Sequence, residues 1–382
     1  MAVEGNKVFV GISGGVDSAV AAALLQEQGY DVTGVFIKIQ IPGYPCPAAA
    51  DRIDAMRVAA HLKIPFMEID LSNEYEREVF RPSLDEYAKG HTPNPDTLCN
   101  EKIKFGAFYE FARSHGADFI ATGHYARLAF AAKPPSQKVL GSASPQPDHF
   151  VQEVSLLQGL DINKDQSYFL WMVPETVLRY TLFPIGHLQK SAVRALAEKY
   201  NLPNAARPDS QGLCFLGDIS IEEMLEREIP HTLGEVLSEA GEVIGTHEGA
   251  VHYTMGQRHG FTLSTQTAHT TPHFIVAKDV ARNTITVSTG RFPVHASKTI
   301  LTLQHINWIG ALPQGPLMAR YRYRQKLIPA ELQRSDPGKG FKGQTFVILL
   351  EPHYVPVGQS LVLYSGNRCL GGGVISDATL QK

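Results

Sequence analysis

The stretch VFVGISGGVDS, residues 8–18, constrains this chain more than any other. Val8, Phe9 and Val10 read as a short buried strand, and AVAAALLQEQ at 19–28 reads as a helix. Between them Ser13, Gly14, Gly15, Val16, Asp17 and Ser18 must turn tightly, and paired glycines open backbone conformations closed to other residues. The two serine hydroxyls and the free amides at the helix start converge on one spot. A helix N-terminus with unsatisfied donors is an anion site, so the predicted ligand is a phosphate. Asp17 is an acid in a site built for an anion, which points to Mg²⁺ rather than to phosphate. The turn lacks the lysine of GxxxxGK[ST] and does not follow GxGxxG. The plainer alternative is an ordinary strand–turn–helix with a serine N-cap.

A chain of 382 residues exceeds the size at which one core keeps growing, so two or three domains are expected. With 43% hydrophobic and 19% charged residues it reads as globular, not disordered. No apolar run approaches the ~20 residues of a membrane span, and the start of the chain enters a strand almost at once, without a leader pattern. A cytoplasmic location and no membrane partner are the expectation. Cys46, Cys99, Cys214 and Cys369 lie far apart with no CxxC pair, against a zinc site or a disulfide framework.

Residues up to about 220 alternate strand and helix patterns: strand 31–37, helix 51–62, strand 64–69, helix 72–88, helix 102–115, strand 117–122 and helix 189–200. That alternation predicts a doubly wound parallel sheet, with ligands gathered at the carboxyl ends of its strands. Gly11 to Ser18, Ile37 and Thr122-Gly123-His124 all fall at such ends. The segment 129–151, rich in Pro, Ser, Ala and Gln, reads as a surface insertion. A short helix at 221–228 closes the first domain. Beyond Pro230, short strand patterns at 234–245, 251–253, 273–277 and 284–288 are expected, then at 300–309, 317–324, 345–350 and 360–364. The fold class is therefore α/β for residues 1–228, followed by two smaller mainly-β domains, 229–291 and 292–382, the last a β-barrel. From Phe292 onward ten bases face four acids, a surplus of six positive charges on a chain whose net charge is −3. Such a module suits a polyanionic partner.

Cys99 lies in HTPNPDTLCNEKIKFG, expected as a rigid loop over 91–100 that leads into a helix near Lys102. A helix N-terminus with Lys102 and Lys104 nearby would favour a thiolate. Cys214, in RPDSQGLCFLGD, is loop-placed as well, and so is Cys46; Cys369, before GGGVI, reads as structural. Asp96 reads either as a general base or as a turn former, and His124 either as a ligand contact or as satisfied structure. Lys164-Asp165-Gln166 reads as a polar turn. RYRQK at 322–326 alternates bases with an aromatic, as phosphate and base contacts do, but a charge-guarded sheet edge looks the same.

SGGVDS is the motif of enzymes that split ATP between its α- and β-phosphates. Together with NPDTLCNEKIKFG, ATGHYAR, LDINKDQSYFLW, DSQGLCFLGD, YTMGQRHG, RYRYRQ and CLGGGVI, in that order, it makes the chain resemble the bacterial and mitochondrial tRNA-specific 2-thiouridylase family, from about Lys7 to Ile375. The resemblance implies an adenine-nucleotide-hydrolase-like catalytic domain and replacement of the 2-oxygen of a wobble uridine by sulfur. ATP and Mg²⁺ would be the cofactors, and tRNA and a sulfur-carrier protein or cysteine desulfurase the partners. By matching positions, Cys99 is the nucleophile, Cys214 the persulfide carrier and Asp96 the acid–base group. Gly11, Ile12, Ser13, Gly14, Gly15, Val16, Asp17, Ser18, Ile37 and Gly123 would line the ATP site, with Asp17 the one candidate for the metal. Asn94, Pro95 and Asp96 would meet the target base. His124, Lys164, Asp165, Gln166, Arg322, Tyr323 and Gln359 would contact tRNA. Ile37 stands where the family commonly has Met. The alternatives are a ligase or amidotransferase adenylating a small molecule, and a nucleotide-sensing or tRNA-binding module without catalysis.

Overall fold

The computed structural model describes residues 5–44, 48–132, 152–209, 219–264, 271–290, 292–293, 295–312, 314–334 and 344–381. Cys46, Cys214 and most of the 129–151 segment lie outside these residues.

The first sheet is parallel throughout. Its strands are β1 (Lys7–Gly11), β2 (Asp31–Lys38), β3 (Phe66–Asp70), β4 (Phe119–Ala121) and, later in the chain, Thr181–Leu182, in the order β3-β2-β1-β4 followed by that last strand. Alternation along β1 explains why both faces are covered. Val8 and Val10 pack against Val16, Ala19, Val20 and Ala22 of α1 (Val16–Glu27), whereas Phe9 faces the opposite cluster with Phe108 and Ile120. Strand order reverses between β1 and β4, and the crevice outside their carboxyl ends is where such sheets bind ligands. The SGGVDS turn leaves β1 there, and Thr122-Gly123-His124 leaves β4 beside it.

Helical residues 72–88 and 95–114 each run as α-helix, π-helical turn and α-helix: Ser72–Tyr75, Glu76–Phe80 and Arg81–Ala88, then Pro95–Cys99, Asn100–Ala107 and Phe108–Ser114. The helix expected near Lys102 thus starts seven residues earlier, at Pro95, with Asn94 as its N-cap. Proline at the first helical position has no amide to leave unpaired, and the Asn94 side chain takes the Thr97 amide at 3.3 Å. Only the first part of the expected 91–100 loop is a loop.

A second sheet holds Gly234–Leu237, Val243–His247, Thr262–Leu263, Phe274–Asp279 and Thr284–Ser288. The stretch 234–245, expected as one strand, is a hairpin, and 251–253, expected as a strand, belongs to a 3₁₀ turn, Ala250–His252. The third sheet closes on itself. Strands Lys298–Trp308, Thr345–Leu349, Ile328–Arg334, Leu317–Arg320, Ser360–Ser365 and Arg368–Gln381 pair in that order, and the last returns to the first, a six-stranded antiparallel barrel. The strand expected over 317–324 stops at Arg320; Arg322 and Gln325 then form a turn through a 3.2 Å backbone bond.

The antiparallel pair of Ala126–Ala132 and Gln152–Gln158 adds to the barrel's final strand through Arg368 opposite Leu157 and Cys369 opposite Leu156. The outer face of the barrel therefore shares a core with helices beside the parallel sheet: Val362, Tyr364 and Cys369 pack in the same cluster as Cys99, Phe105 and Trp171. Cys369 is fully buried and burial pushes its thiol up to about 12, as a structural cysteine requires. Among the described residues no helix is long and apolar enough to cross a membrane.

Candidate active site

The turn after β1 is held from within and from two later segments. Ser18 Oγ accepts from the Ser13 amide at 3.2 Å and donates to the Gly15 carbonyl at 3.1 Å. Gly15, the N-cap of α1, receives no side-chain cap, so the serine-capped helix is not what forms. Gly14 has φ +79, and a Cβ there would lie 2.6 Å from the Asp51 carbonyl oxygen. Its own carbonyl accepts from Asn204 Nδ2 at 2.7 Å and from Arg207, which also pairs with Asp51 and Asp54. Gly123, at the end of β4, packs so tightly on α1 that a Cβ would sit 2.7 Å from the Ser18 amide nitrogen. Uncapped helix amides, a backbone cradle with no room for side chains, and adjacent cations fit a polyphosphate.

Asp17 has two donors on one oxygen: Tyr125 Oη at 2.7 Å and Lys190 Nζ at 2.7 Å, both to Oδ1. Oδ2 is engaged by neither, which leaves a ligand atom for a metal carried in by phosphate. Among the described residues no group of three acids, histidines or cysteines is arranged to hold a metal by itself. Lys190 Nζ also lies 2.8 Å from Asp209, whose carboxylate accepts from Lys164 at 2.5 Å and Arg194 at 2.6 Å. Burial alone would raise the Asp209 carboxyl; the hydrogen bonds from Lys164 and Lys190 outweigh it and hold the group well below the usual carboxylate range.

From Asp17 the site continues by contact. The Tyr125 amide and carbonyl both bond Gln166, and Asp165 beside it is buried, accepting from the Gly159 and Ser167 amides and from Arg320 of the barrel. Asp165 thus faces inward, its oxygens taken by the protein. Tyr168, one turn further, donates to the Ser360 carbonyl at 3.0 Å, reaches Gln359 at 3.4 Å and hydrogen-bonds Asn94. One phenol therefore joins the Asn94-Pro95-Asp96 segment to Gln359. A cleft of about 340 Å³ opens beside it, lined among others by Pro93, Asn94, Thr97, Gln304, His305 and Ser360, and its volume is that of a small-ligand pocket.

Cys99 ends the first α-helical turns after Asn94 and is 0% exposed, packed with Ile103, Phe105 and Trp171. It is a buried core position inside a helix, not the expected loop position before a helix start. Lys102 pairs with Glu101 at 3.0 Å. His124 is also interior, 7% exposed, its ring beside Phe105 and Phe183 and its Nδ1 2.8 Å from Thr122 Oγ1; burial keeps it far below the usual histidine range and hence neutral. Ile37, 8% exposed, is the next-to-last residue of β2. Arg322, Tyr323 and Arg324 reach out from the barrel: Arg322 donates to the Met255 carbonyl at 2.6 Å, Tyr323 packs on Phe169, and Arg324 donates to the Asn163 carbonyl at 2.9 Å. Tyr125, Tyr168, Lys190, Arg194 and Asp209 were not singled out from the sequence. Lys190 carried a signal, since it is a cation in the first turn of its helix (Lys190–Lys199), where the dipole disfavours it and no acid offsets it.

A parallel sheet with a glycine turn at its switch point, joined to a small β unit and a closed barrel, is a HUP-class architecture with mainly-β additions. Family models agree along the chain: residues 6–218 match the tRNA methyl transferase HUP domain, 222–289 the tRNA methyl transferase PRC-barrel domain, and 298–375 the aminomethyltransferase beta-barrel domain. The tRNA-specific 2-thiouridylase MnmA of Bacillus subtilis (strain 168) is 39% identical over 383 residues, covering 98% of this chain and 96% of that one. The MnmA of Nitrosomonas europaea is 40% identical, covering 97% and 98%. The chain belongs to the tRNA-specific 2-thiouridylase family and is an enzyme of the sulfurtransferase class. A 4-thiouridine synthetase solved with RNA and bound ATP is similar over 56% of this chain and 46% of its own, at 14% identity and a TM-score of 0.33.

Proposed function

We propose that the protein catalyses ATP-dependent 2-thiolation of the wobble uridine of tRNA. What carries the reading is the continuity of the site in a full-length thiouridylase relative: Asp17, Tyr125, Gln166 and Tyr168 link the anion-binding turn to Asn94 and the helix of Cys99. ATP would supply activation, its α-phosphorus taking the uracil 2-oxygen with loss of pyrophosphate so that this oxygen leaves within AMP. The turn from Gly11 to Ser18, with Ile37 and Gly123, would hold the nucleotide, and Asp17 Oδ2 would meet Mg²⁺ on its phosphates. Asn94, Pro95 and Asp96 would receive the base, Asp96 exchanging its proton. In this reading residues 1–228 are the catalytic domain, 229–291 a central β domain and 292–382 the tRNA-binding domain.

Cys214 would carry the sulfur as a persulfide loaded by a sulfur-carrier protein or a cysteine desulfurase. Either Cys99 attacks the persulfide and hydrosulfide meets the activated carbon, or the persulfide attacks and Cys99 resolves the adduct. Both routes leave a Cys99–Cys214 disulfide that an external thiol must reduce. Lys164, Gln166, Arg322, Tyr323 and Gln359 would face RNA, with Asp165 acting through Arg320 and His124, being interior, acting only through its neighbours. The test is digestion of tRNA incubated with enzyme, ATP, Mg²⁺ and a sulfur donor, followed by mass spectrometry. Formation of 2-thiouridine that Cys99→Ser and Cys214→Ser abolish is expected. No product, or full activity in Cys214→Ser, refutes the reading, and pyrophosphate released with a small substrate and no RNA would favour a ligase instead.

A further inference from the structure

Asp209 joins Lys164, which the proposed function sends to tRNA, to Lys190, which bonds Asp17 of the nucleotide-binding turn. Its Oδ1 accepts from Lys190 and Arg194, and its Oδ2 from Lys164; Lys190 reaches on to Asp17 in the anion-binding turn. Lys190 is 16% exposed and Lys164 29%, so both ammonium groups are ordered by these contacts rather than by bulk water. Two carboxylates, Asp17 and Asp209, are thus shared among Lys164, Lys190 and Arg194, leaving one positive charge in surplus.

Resting on the reading above, we propose that Asp209 is a positioning residue through which tRNA binding controls ATP cleavage. A phosphate of the RNA that takes Lys164 removes one donor from Asp209. The carboxylate then draws harder on Lys190, which loosens the hold of that ammonium on Asp17 and frees the acid for the nucleotide site. The linkage is reciprocal, because a nucleotide that engages Asp17 shifts Lys190 onto Asp209, which then gives up Lys164 more readily to the RNA. The physical basis is one shared counter-ion, not mere proximity.

The experiment is the ratio of pyrophosphate release with saturating tRNA to that without it, measured for the wild type, Asp209→Asn, Asp209→Glu and Lys164→Met, with thermal melting alongside. The wild type is expected to show strong stimulation. Asp209→Asn and Lys164→Met should each lower the ratio at least tenfold, and Asp209→Glu should restore most of it. A wild-type ratio near one, or variants that keep the wild-type ratio, overturns the inference. If Asp209→Asn fails to fold, Lys164→Met decides alone, since Asp209 keeps two donors in it. A wild type that forms no 2-thiouridine overturns the reading beneath; thiolation with unaltered ratios in the variants overturns only the coupling.

Discussion

The carboxylate of Asp165 and the guanidinium of Arg320 form an ion pair 3.1 Å long, with side chains 2% and 6% exposed, that fastens the Lys164-Asp165-Gln166 turn to the barrel. Arg320 also lies over the Tyr364 ring at 4.5 Å. Removing one member of a buried pair leaves the other charge unsolvated, typically at a cost of about 3–5 kcal/mol. Arg320→Met and Asp165→Asn should therefore each lower the denaturation midpoint sharply. The double substitution should lose less than the sum of the two. Additive losses in urea titrations would show that the pair is not coupled.

At Gly123 a methyl group has no space, because the Ser18 amide and the Asp17 carbonyl carbon lie 2.7 and 2.8 Å from where its Cβ would be. Gly123→Ala should push β4 away from α1 and weaken ATP binding at least tenfold while tRNA binding changes little. Equilibrium binding of both ligands checks it; equal losses would mark a general folding defect.

Tyr168→Phe removes one hydroxyl that Asn94, Gln359 and Ser360 share. A buried hydrogen-bonded hydroxyl contributes on the order of 1 kcal/mol to stability, so the fold should survive. Thiolation should fall far more than stability, because the segment expected to receive the base loses its tie to the barrel. Single-turnover rates beside melting curves separate the two effects.

These residues also mark what the sequence disclosed. The strand, glycine turn and helix of residues 8–27 are local, set by propensity and by glycine geometry, and were legible in order. So was the helix Ile221–Glu228, whose capping box, Ser220 with Glu223, lies within four residues. Lys190 and Asp209 were not, because each meets its partners across long sequence separations that only the tertiary fold closes. Cys99 was misread for a related reason: Lys102 and Lys104 suggested a helix start, but the Asn94-Pro95 cap had already begun the helix and turned the thiol into the core. The three bases from Arg322 to Lys326 read equally as phosphate contacts or as a guarded edge, and the chain instead leaves the barrel there, Arg322 reaching Met255 and Arg324 reaching Asn163.

His124 makes the molecule sensitive to acid. Burial is the larger cause of its lowered value and the nearby Lys104 adds to it, so the folded protein keeps the ring neutral where the unfolded chain, with an ordinary value near ~6.5, takes up a proton. As pH falls below that value the unfolded state binds more protons, and stability should drop by about 1.4 kcal/mol per pH unit for this one group. The loss ends once pH falls through the folded value. His124→Gln should flatten the slope between neutral pH and pH ~5. An unchanged slope in denaturant titrations would place the acid sensitivity elsewhere.

The central claim is that the oxygen displaced from the base departs on AMP. It is tested by running the reaction on tRNA transcribed with uridine labelled with oxygen-18 at the 2-position, then weighing the AMP formed. One heavy oxygen in the AMP phosphate for each 2-thiouridine made is the predicted result. Thiouridine formed alongside unlabelled AMP would contradict it.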